Sequence, residues 1–353
     1  MIQIPHKQVE IFCGTGGVGK TTLATARALH LAKSNRKVLL ITIDPAKRLK
    51  QILKLPDRDD GQIHSIPLSL FDEKNNENSI DHFDAMLMSP GATLGRIAKE
   101  KKLEAEFEST IIKTLSRPYG GMNEIMSIIE VQYQLKQKNY DTIILDTPPG
   151  KHFIDFLESS EKIKNFFDKS FLEIFEYLGK SINEDDHKKR NILAKIISSG
   201  VKKLLTYLED VTGADFVREF IDAVLALYKS RDSFLNALDF QKELKNESFS
   251  NWFLVTSVEQ QKINEAQGLK DQAENFIHND LYLIINKCLT PYLNEWKPES
   301  EPVLLKLKES MVTREAILTD FASKNFRNVL KFHEINNPSP LDHVVGLALQ
   351  FKA

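Results

Sequence analysis

Apolar residues along this chain follow two alternating patterns. Short, nearly continuous apolar runs are separated by longer stretches in which apolar residues recur every three or four positions. The first pattern is typical of strands buried on both faces of a parallel sheet, and the second predicts amphipathic helices. The predicted strands are 9–13, 38–44, 142–146, the first part of 251–269, 281–289 and 329–335, with two shorter strands at 66–71 and 83–88.

Helical patterns lie between these strands. They are predicted at 23–33, 92–115 and 122–136, in the second part of 251–269, in parts of 290–328 and at the C-terminus. Strand and helix thus alternate on either side of a long helical block. This order predicts the α/β class, with a doubly wound, mostly parallel sheet that carries helices on both faces.

The helical block occupies residues 153–248 and contains no strand pattern. Three amphipathic stretches, at 156–179, 192–211 and 216–240, are separated by polar loops. We therefore predict a helical insertion subdomain at 153–248, between a first part of the sheet domain at 1–152 and a second part at 249–353. Most of its many Phe and Leu residues are assigned to its own core, and a client groove or a subunit contact stays open for the others.

The first predicted strand runs directly into a glycine-rich loop, VEIFCGTGGVGKTT at 9–22. Its residues fit the phosphate-loop pattern G-x-x-x-x-G-K-[ST], and a helical pattern follows, as this motif requires. Lys20 is predicted to reach the β- and γ-phosphates, and the Thr21 hydroxyl to bind Mg²⁺. The predicted nucleotide contacts in the loop are Gly14, Thr15, Gly16, Gly17, Val18, Gly19, Lys20, Thr21 and Thr22. The chain is thus expected to have a P-loop NTPase fold.

Two later strands end in an aspartate. Asp44 is followed by Pro45, which disfavours helix at Asp44 and ends the strand there. Asp146 ends the run TIILD, an arrangement typical of a Walker B carboxylate near the Mg²⁺ site. Since ligands bind at the carboxyl ends of parallel strands, both carboxylates are predicted to lie near the phosphates.

Composition says more about where the chain works than about the reaction that it catalyses. The 353 residues are 42% apolar and carry a formal net charge of −2, which provides no general attraction for nucleic acid. The two cysteines, Cys13 and Cys288, lie in apolar runs and are predicted to be buried, inert thiols. The sequence has no signal-peptide pattern and no apolar run long enough to span a membrane, so a cytoplasmic location is expected. A peripheral location at the inner face of a membrane stays open.

Taken together, these segments resemble the ArsA-like ATPases, a family that includes the arsenite-pump ATPase and the ATPase that delivers tail-anchored membrane proteins. The resemblance extends over most of the chain. It rests on the loop GTGGVGKTT, the first switch segment TIDPAKRL, the helix GGMNEIMSIIEVQ, the second switch segment ILDTPPGKH and a late Asn-Lys dipeptide. The helical block lies where the family carries client-binding or metal-binding helices.

The resemblance implies further roles for particular residues. Asp44 would orient and activate the attacking water, which makes it catalytic together with Lys20, and Asp146 would support Mg²⁺ with Thr21. His152 stands where the second switch of the family has a histidine. Asn286 looks like the asparagine that reads adenine, and the absence of an NKxD sequence after it also favours ATP over GTP. The implied cofactors are ATP and Mg²⁺.

Three departures from the family pattern bear on function. Thr15 occupies the position of a second lysine that reaches across a dimer to the nucleotide of the partner; Lys47, Arg48, Lys151 or a related subunit would have to supply that charge. The zinc-binding C-x-x-C pattern is absent, so no zinc is expected. No cysteine cluster suited to arsenite occurs, and the chain carries one copy of a domain that the pumps carry twice.

The function predicted from the sequence is therefore Mg²⁺-dependent ATP hydrolysis. It would drive a nucleotide-state switch in a homodimer, or in a heterodimer with a related ATPase, and the helical insertion would couple it to a protein client or a membrane partner. Two alternatives stay open: an ATPase subunit of an anion or metalloid exporter, and a low-turnover nucleotide-binding scaffold in a heterodimer. A segregation ATPase is disfavoured by the long helical block, and a small-metabolite kinase by the few arginines within it.

Overall fold

The computed structural model describes residues 4–43, 47–55, 61–71, 80–115, 122–166, 207, 209–298 and 301–351. Eight strands in these ranges form a single sheet. They are β1 (Val9–Gly14), β2 (Val38–Thr42), β3 (Ile63–Pro67), β4 (His82–Leu87), β5 (Thr142–Asp146), β6 (Ser250–Ser257), β7 (Tyr282–Cys288) and β8 (Asn328–His333).

The strand order is β3-β4-β2-β5-β1-β6-β7-β8, so β1 lies in the middle of the sheet between β5 and β6. Among the described strands, the edge pair β3 and β4 is antiparallel and every other neighbouring pair is parallel. Helices lie on both sides of the sheet, which confirms the predicted fold class. The carboxyl ends of the parallel strands thus form one edge, where ligands bind in such sheets.

Thirteen α-helices lie in the described residues. They are α1 (Lys20–Lys33), α2 (Lys47–Leu53), α3 (Pro90–Lys101), α4 (Glu104–Phe107), α5 (Thr110–Leu115), α6 (Met122–Gln137), α7 (Lys151–Phe166), α8 (Ala214–Lys229), α9 (Arg231–Glu243), α10 (Gln260–Ala273), α11 (Thr290–Glu295), α12 (Pro302–Asn325) and α13 (Pro340–Ala348). Among the described residues, no helix combines the length and the apolar character needed to cross a bilayer.

Two local predictions were wrong. The strand expected at 66–71 lies earlier, at Ile63–Pro67, because proline lacks the N–H that would continue the ladder and a 3₁₀ turn follows it. The single helix expected at 92–115 is three helices. Lys102 is left-handed with φ 56°, which ends α3, and the Ser109 hydroxyl accepts a hydrogen bond from the N–H of Ile112 to start α5.

The chain divides into two compact units. One comprises residues 1–88, 131–157 and 240–353 and contains the sheet. The other comprises 89–130 and 158–239, and its described elements are all helices. In the second unit, the stretch predicted at 216–240 is two helices, α8 and α9, which meet at Ser230. The predicted stretches at 156–179 and 192–211 fall largely outside the described residues, so the insertion boundaries of 153 and 248 stay a prediction.

A buried ion pair joins the central strand to the helix that follows the glycine-rich loop. Arg27 of α1 donates from Nε to Glu10 Oε2 at 2.8 Å and from Nη2 to Oε1 at 2.9 Å. The exposed fractions of the two side chains are 1% and 0%. Asn251 of β6 donates the third hydrogen bond to the Glu10 carboxylate, at Oε1. The pair therefore fixes α1 against β1, the two elements that hold the ends of the glycine-rich loop.

Candidate nucleotide site

The glycine-rich loop joins the carboxyl end of β1 to the amino end of α1. Gly14 ends β1 so close to β6 that a Cβ on it would lie 2.1 Å from the Val255 carbonyl oxygen. Gly19, with φ 95°, precedes the first residue of α1. Because the partial positive charge of a helix N-terminus favours anions, the loop and α1 together suit a phosphate group.

Lys20 is the first residue of α1 and is buried. Its Nζ donates a hydrogen bond to the Thr15 carbonyl oxygen at 2.8 Å, so the ammonium lies against its own loop. A buried cation held by loop backbone is already placed for an anionic ligand, since little side-chain entropy remains to be lost on binding.

Thr21 and Asp146 meet at the carboxyl ends of the central strands. The Thr21 hydroxyl donates to Asp146 Oδ2 at 2.7 Å, and the Thr42 hydroxyl at the end of β2 donates to the same oxygen at 3.0 Å. Asp146 is buried. The sequence separated these groups by 125 positions, and the parallel pairing of β5 beside β1 brings them together.

Hydroxyl and carboxylate oxygens are the hard donors that Mg²⁺ prefers. Thr21 and Asp146 therefore fit the ion that the sequence predicts. Among the described residues, no group of three or more His, Cys, Asp or Glu side chains is placed to hold a metal. Thr21 and Asp146 are the kind of donor pair expected where Mg²⁺ binds one or two protein groups and completes its coordination with phosphate oxygens and water.

A cavity of about 360 Å³ opens beside the loop. It is lined by Gly17, Gly19, Lys20, Thr21, Thr22, Arg48, Pro149, Asn286, Lys287, His333, Glu334, Ile335, His343 and Leu347. The predicted contacts Gly14, Thr15, Gly16 and Val18 belong to the loop but not to this lining. A cavity of this size, next to a phosphate-binding loop, accommodates a small polar ligand.

Asn286 links the cavity to the loop. Its side-chain amide donates to the Val18 carbonyl oxygen at 2.8 Å, and the residue is buried. A Cβ at position 19 would lie 2.6 Å from Asn286 Nδ2, so this contact also requires glycine there. Asn286 thus supports the phosphate loop directly, a contact that the prediction of an adenine-reading side chain did not include.

One wall of the cavity was not predicted from the sequence. His333 ends β8, Glu334 and Ile335 follow it, and His343 lies on α13. For the first three, the available signal was their place at the end of the last predicted strand, 329–335, because the carboxyl ends of parallel strands share one edge.

Comparison with known proteins identifies the family of this chain. A family model described as Anion-transporting ATPase matches residues 7–311. The chain belongs to this family. The resemblance to ArsA-like ATPases is thereby confirmed.

Individual relatives match shorter parts of the chain than the family model does. ATPase GET3 of Malassezia globosa is 26% identical over 231 residues, which cover 62% of this chain and 65% of that protein. ATPase get3 of Neurospora crassa is 33% identical over 150 residues, 41% of this chain and 40% of that protein. Putative arsenical pump-driving ATPase 1 of Aquifex aeolicus is 28% identical over 171 residues, 46% and 41%. The chain therefore spans less than two thirds of the length of these relatives.

The other site residues predicted for this member of an ATPase family differ in how they lie relative to the cavity. Asp44 and the Lys47 side chain lie outside the described residues. Arg48 lines the cavity, whereas Lys151 is exposed at the start of α7. His152 is also exposed, with Nδ1 3.7 Å from Asp155 Oδ2. Of the three cations proposed to compensate for Thr15, Arg48 is the one whose described side chain lies at the cavity.

Thr15 itself lies inside the loop. Its exposed fraction is 2%, and its hydroxyl has no hydrogen-bond partner among the described residues. A short, buried, neutral side chain cannot provide a positive charge to a nucleotide on another subunit. The sequence difference at Thr15 therefore also removes a positive charge from the loop.

Both cysteines are buried, free thiols. Burial raises the pKa of each to about 12, although the nearby Lys20 charge partly opposes the shift of the Cys13 pKa. Since the thiolate is the form that binds soft metals and reacts with electrophiles, neither sulfur is chemically available near neutral pH.

Proposed function

We propose that this chain binds and hydrolyses ATP with Mg²⁺, and that its nucleotide state controls an interaction with a protein client or a membrane partner. The observation that carries the proposal is the hydrogen bond between the Thr21 hydroxyl and Asp146 at the mouth of the phosphate loop. Membership in an ATPase family supports the same activity.

The proposed chemistry requires charge neutralisation and one positioned water, because phosphoryl transfer needs little covalent work from the protein. Lys20 and the N-terminus of α1 would hold the phosphates. Thr21 and Asp146 would hold Mg²⁺, which supplies further neutralising charge when bound. Asp44, at the end of the β2 run in the sequence, is assigned to orient the water.

The Mg²⁺ assignment can be tested with Asp146→Asn. We expect this variant to lower ATP turnover about a hundredfold, because it removes the carboxylate charge while keeping the shape of the side chain. Its affinity for ATP in EDTA should match that of the wild type, and the gain in affinity on adding Mg²⁺ should be lost. Binding by fluorescence titration and phosphate release would measure the two effects.

Asp84→Asn provides a matched control. Asp84 is also a strand aspartate, but it accepts its hydrogen bond from the Tyr140 hydroxyl at 2.7 Å, away from the phosphate loop. This variant should respond to Mg²⁺ like the wild type. An Asp146→Asn protein that kept the full Mg²⁺ response would refute the assignment.

Coupling to a partner is proposed through the helical unit. The helix α7 follows the loop after Asp146 and continues beyond residue 157, where the second unit resumes. Loss of the γ-phosphate would release the loops after Asp44 and Asp146, and such order changes are a common way to move an attached element. A homodimer or a heterodimer with a related ATPase, working in the cytoplasm, is the proposed assembly.

A second function is favoured by the buried Thr15 side chain. If a related subunit supplies the missing lysine, this chain alone would bind ATP and turn it over slowly, as the scaffold of a heterodimer. Mixing experiments would distinguish this role, since turnover would then rise only when the related subunit is added.

Export of an anion or metalloid is the remaining alternative, supported by the description of the family and by the name of the Aquifex aeolicus relative. The two buried thiols oppose arsenite as the effector. We expect arsenite to leave ATP turnover unchanged, and a thiol reagent to modify neither cysteine rapidly in the folded chain but both in denaturant. Marked stimulation of turnover by arsenite would reverse this ordering.

A further inference from the structure

The carboxyl end of β7 is irregular at the point where it faces the nucleotide cavity. The pairing of β7 with β8 shifts register between Ile285 and Cys288. Within this bulge Lys287 has φ 62°, a left-handed conformation that is unfavourable for a residue with a Cβ. Such conformations persist only where the surrounding structure holds them.

The bulge places two side chains at the site. Asn286 donates to the Val18 carbonyl oxygen of the phosphate loop, and Lys287 lines the cavity as an exposed cation. Because regular strand residues point alternately to opposite faces, the bulge is what allows these neighbours to serve the same site.

Glu315 holds the segment that follows the bulge. From α12, its carboxylate accepts hydrogen bonds from the Leu289 N–H at 2.8 Å, the Thr290 N–H at 3.3 Å and the Thr290 hydroxyl. The exposed fraction of Glu315 is 5%. A buried carboxylate that caps the first amides of α11 is a strong, directional restraint.

A second restraint comes from the residue that follows β8. The Glu334 N–H donates to the Cys288 carbonyl oxygen at 3.0 Å, so the end of the bulge is tied to the segment that forms another wall of the cavity. Glu315 does not line the cavity itself. Any effect it has on the nucleotide must therefore pass through the bulge.

We propose that Glu315 is a positioning residue for the nucleotide: it holds the Asn286–Lys287 bulge in the conformation that supports the phosphate loop. This inference rests on the proposed ATP binding. It also makes α12 part of the nucleotide site, although no residue of that helix lines the cavity.

The test compares Glu315→Gln in two backgrounds. The amide keeps one acceptor oxygen and places an NH2 donor where the other oxygen accepted from the Leu289 or Thr290 N–H, which weakens the restraint. With Lys287 present, the dissociation constant for a fluorescent ATP analogue should rise about fivefold, since the left-handed conformation is no longer held. In the Lys287→Gly background, where glycine adopts this conformation freely, the same change should have less than about a twofold effect.

Asn328→Ala is the matched control. Asn328 lies at the opposite end of β8, where its amide donates to Asp280 Oδ1 at 2.9 Å, and its loss should not alter ATP affinity. If Glu315→Gln fails to fold, Thr290→Val, which removes one donor to Glu315, should weaken binding about twofold with Lys287 and not detectably with glycine.

The outcomes separate the inference from the proposed function. Equal losses of affinity in the two backgrounds, or no loss in either, would overturn the role of Glu315 while wild-type ATP binding stands. A wild-type chain that binds no ATP would overturn the proposed function and this inference with it.

Discussion

Substitution of Lys20 by alanine is expected to lower ATP turnover by about a thousandfold, or about 4 kcal/mol in the barrier. Lys20 is buried, and the Thr15 carbonyl oxygen already holds its ammonium at the loop. The charge is thus placed before the nucleotide arrives, and water cannot replace it at the same position. Phosphate release at saturating ATP, together with ATP affinity, would measure the loss.

Lys33→Ala is the control for this substitution. Lys33 lies in the last turn of the same helix α1, and its removal should leave turnover unchanged. Retention of more than about a tenth of wild-type turnover by Lys20→Ala would mean that another group neutralises the phosphates, because that loss is below about 1.4 kcal/mol. Arg48, which lines the cavity, would then be the first residue to examine.

The second large effect is on stability. Glu10→Gln is expected to lower the free energy of unfolding by about 3–5 kcal/mol, because it leaves the buried Arg27 charge without its counter-ion. Arginine does not neutralise itself by losing a proton, so the full desolvation penalty remains. Urea unfolding monitored by circular dichroism would measure the change, with the denaturant slope compared between proteins.

Asp320→Asn is the matched comparison. Asp320 also forms an ion pair, with Lys324 at 2.6 Å, but both side chains are mostly exposed. Because exposed pairs contribute little, this variant should unfold almost as the wild type does. Similar losses for the two variants would contradict the view that burial of the Glu10–Arg27 pair makes it essential.

Much of the sheet could be predicted because its strands are continuous apolar runs that end in recognisable residues. The edge strand β3 could not, since its residues alternate only weakly and most are exposed. The division of 92–115 into three helices depends on the left-handed backbone of Lys102 and on the Ser109 hydroxyl that caps α5. The spacing of apolar residues predicts neither of them. Local conformation at single residues, rather than core composition, set the limit of the prediction.

The residues of the site could also be predicted only where a local sequence pattern marks them. The phosphate loop and Asp146 could be found because each has a local sequence pattern next to an apolar strand. His333 and His343 have no such pattern, and the fold alone brings them to the cavity. Glu315 is harder still, because its contact with Leu289 and Thr290 depends on packing between two helices that the sequence shows only as polar, partly helical segments.

Phosphate release from ATP by the purified chain tests the central claim most directly. The wild type should release phosphate in a Mg²⁺-dependent reaction, while Lys20→Ala and Asp44→Asn should both fall to the background rate. If the wild type binds ATP but releases phosphate no faster than these two variants, hydrolysis by this chain is contradicted and the scaffold role is supported.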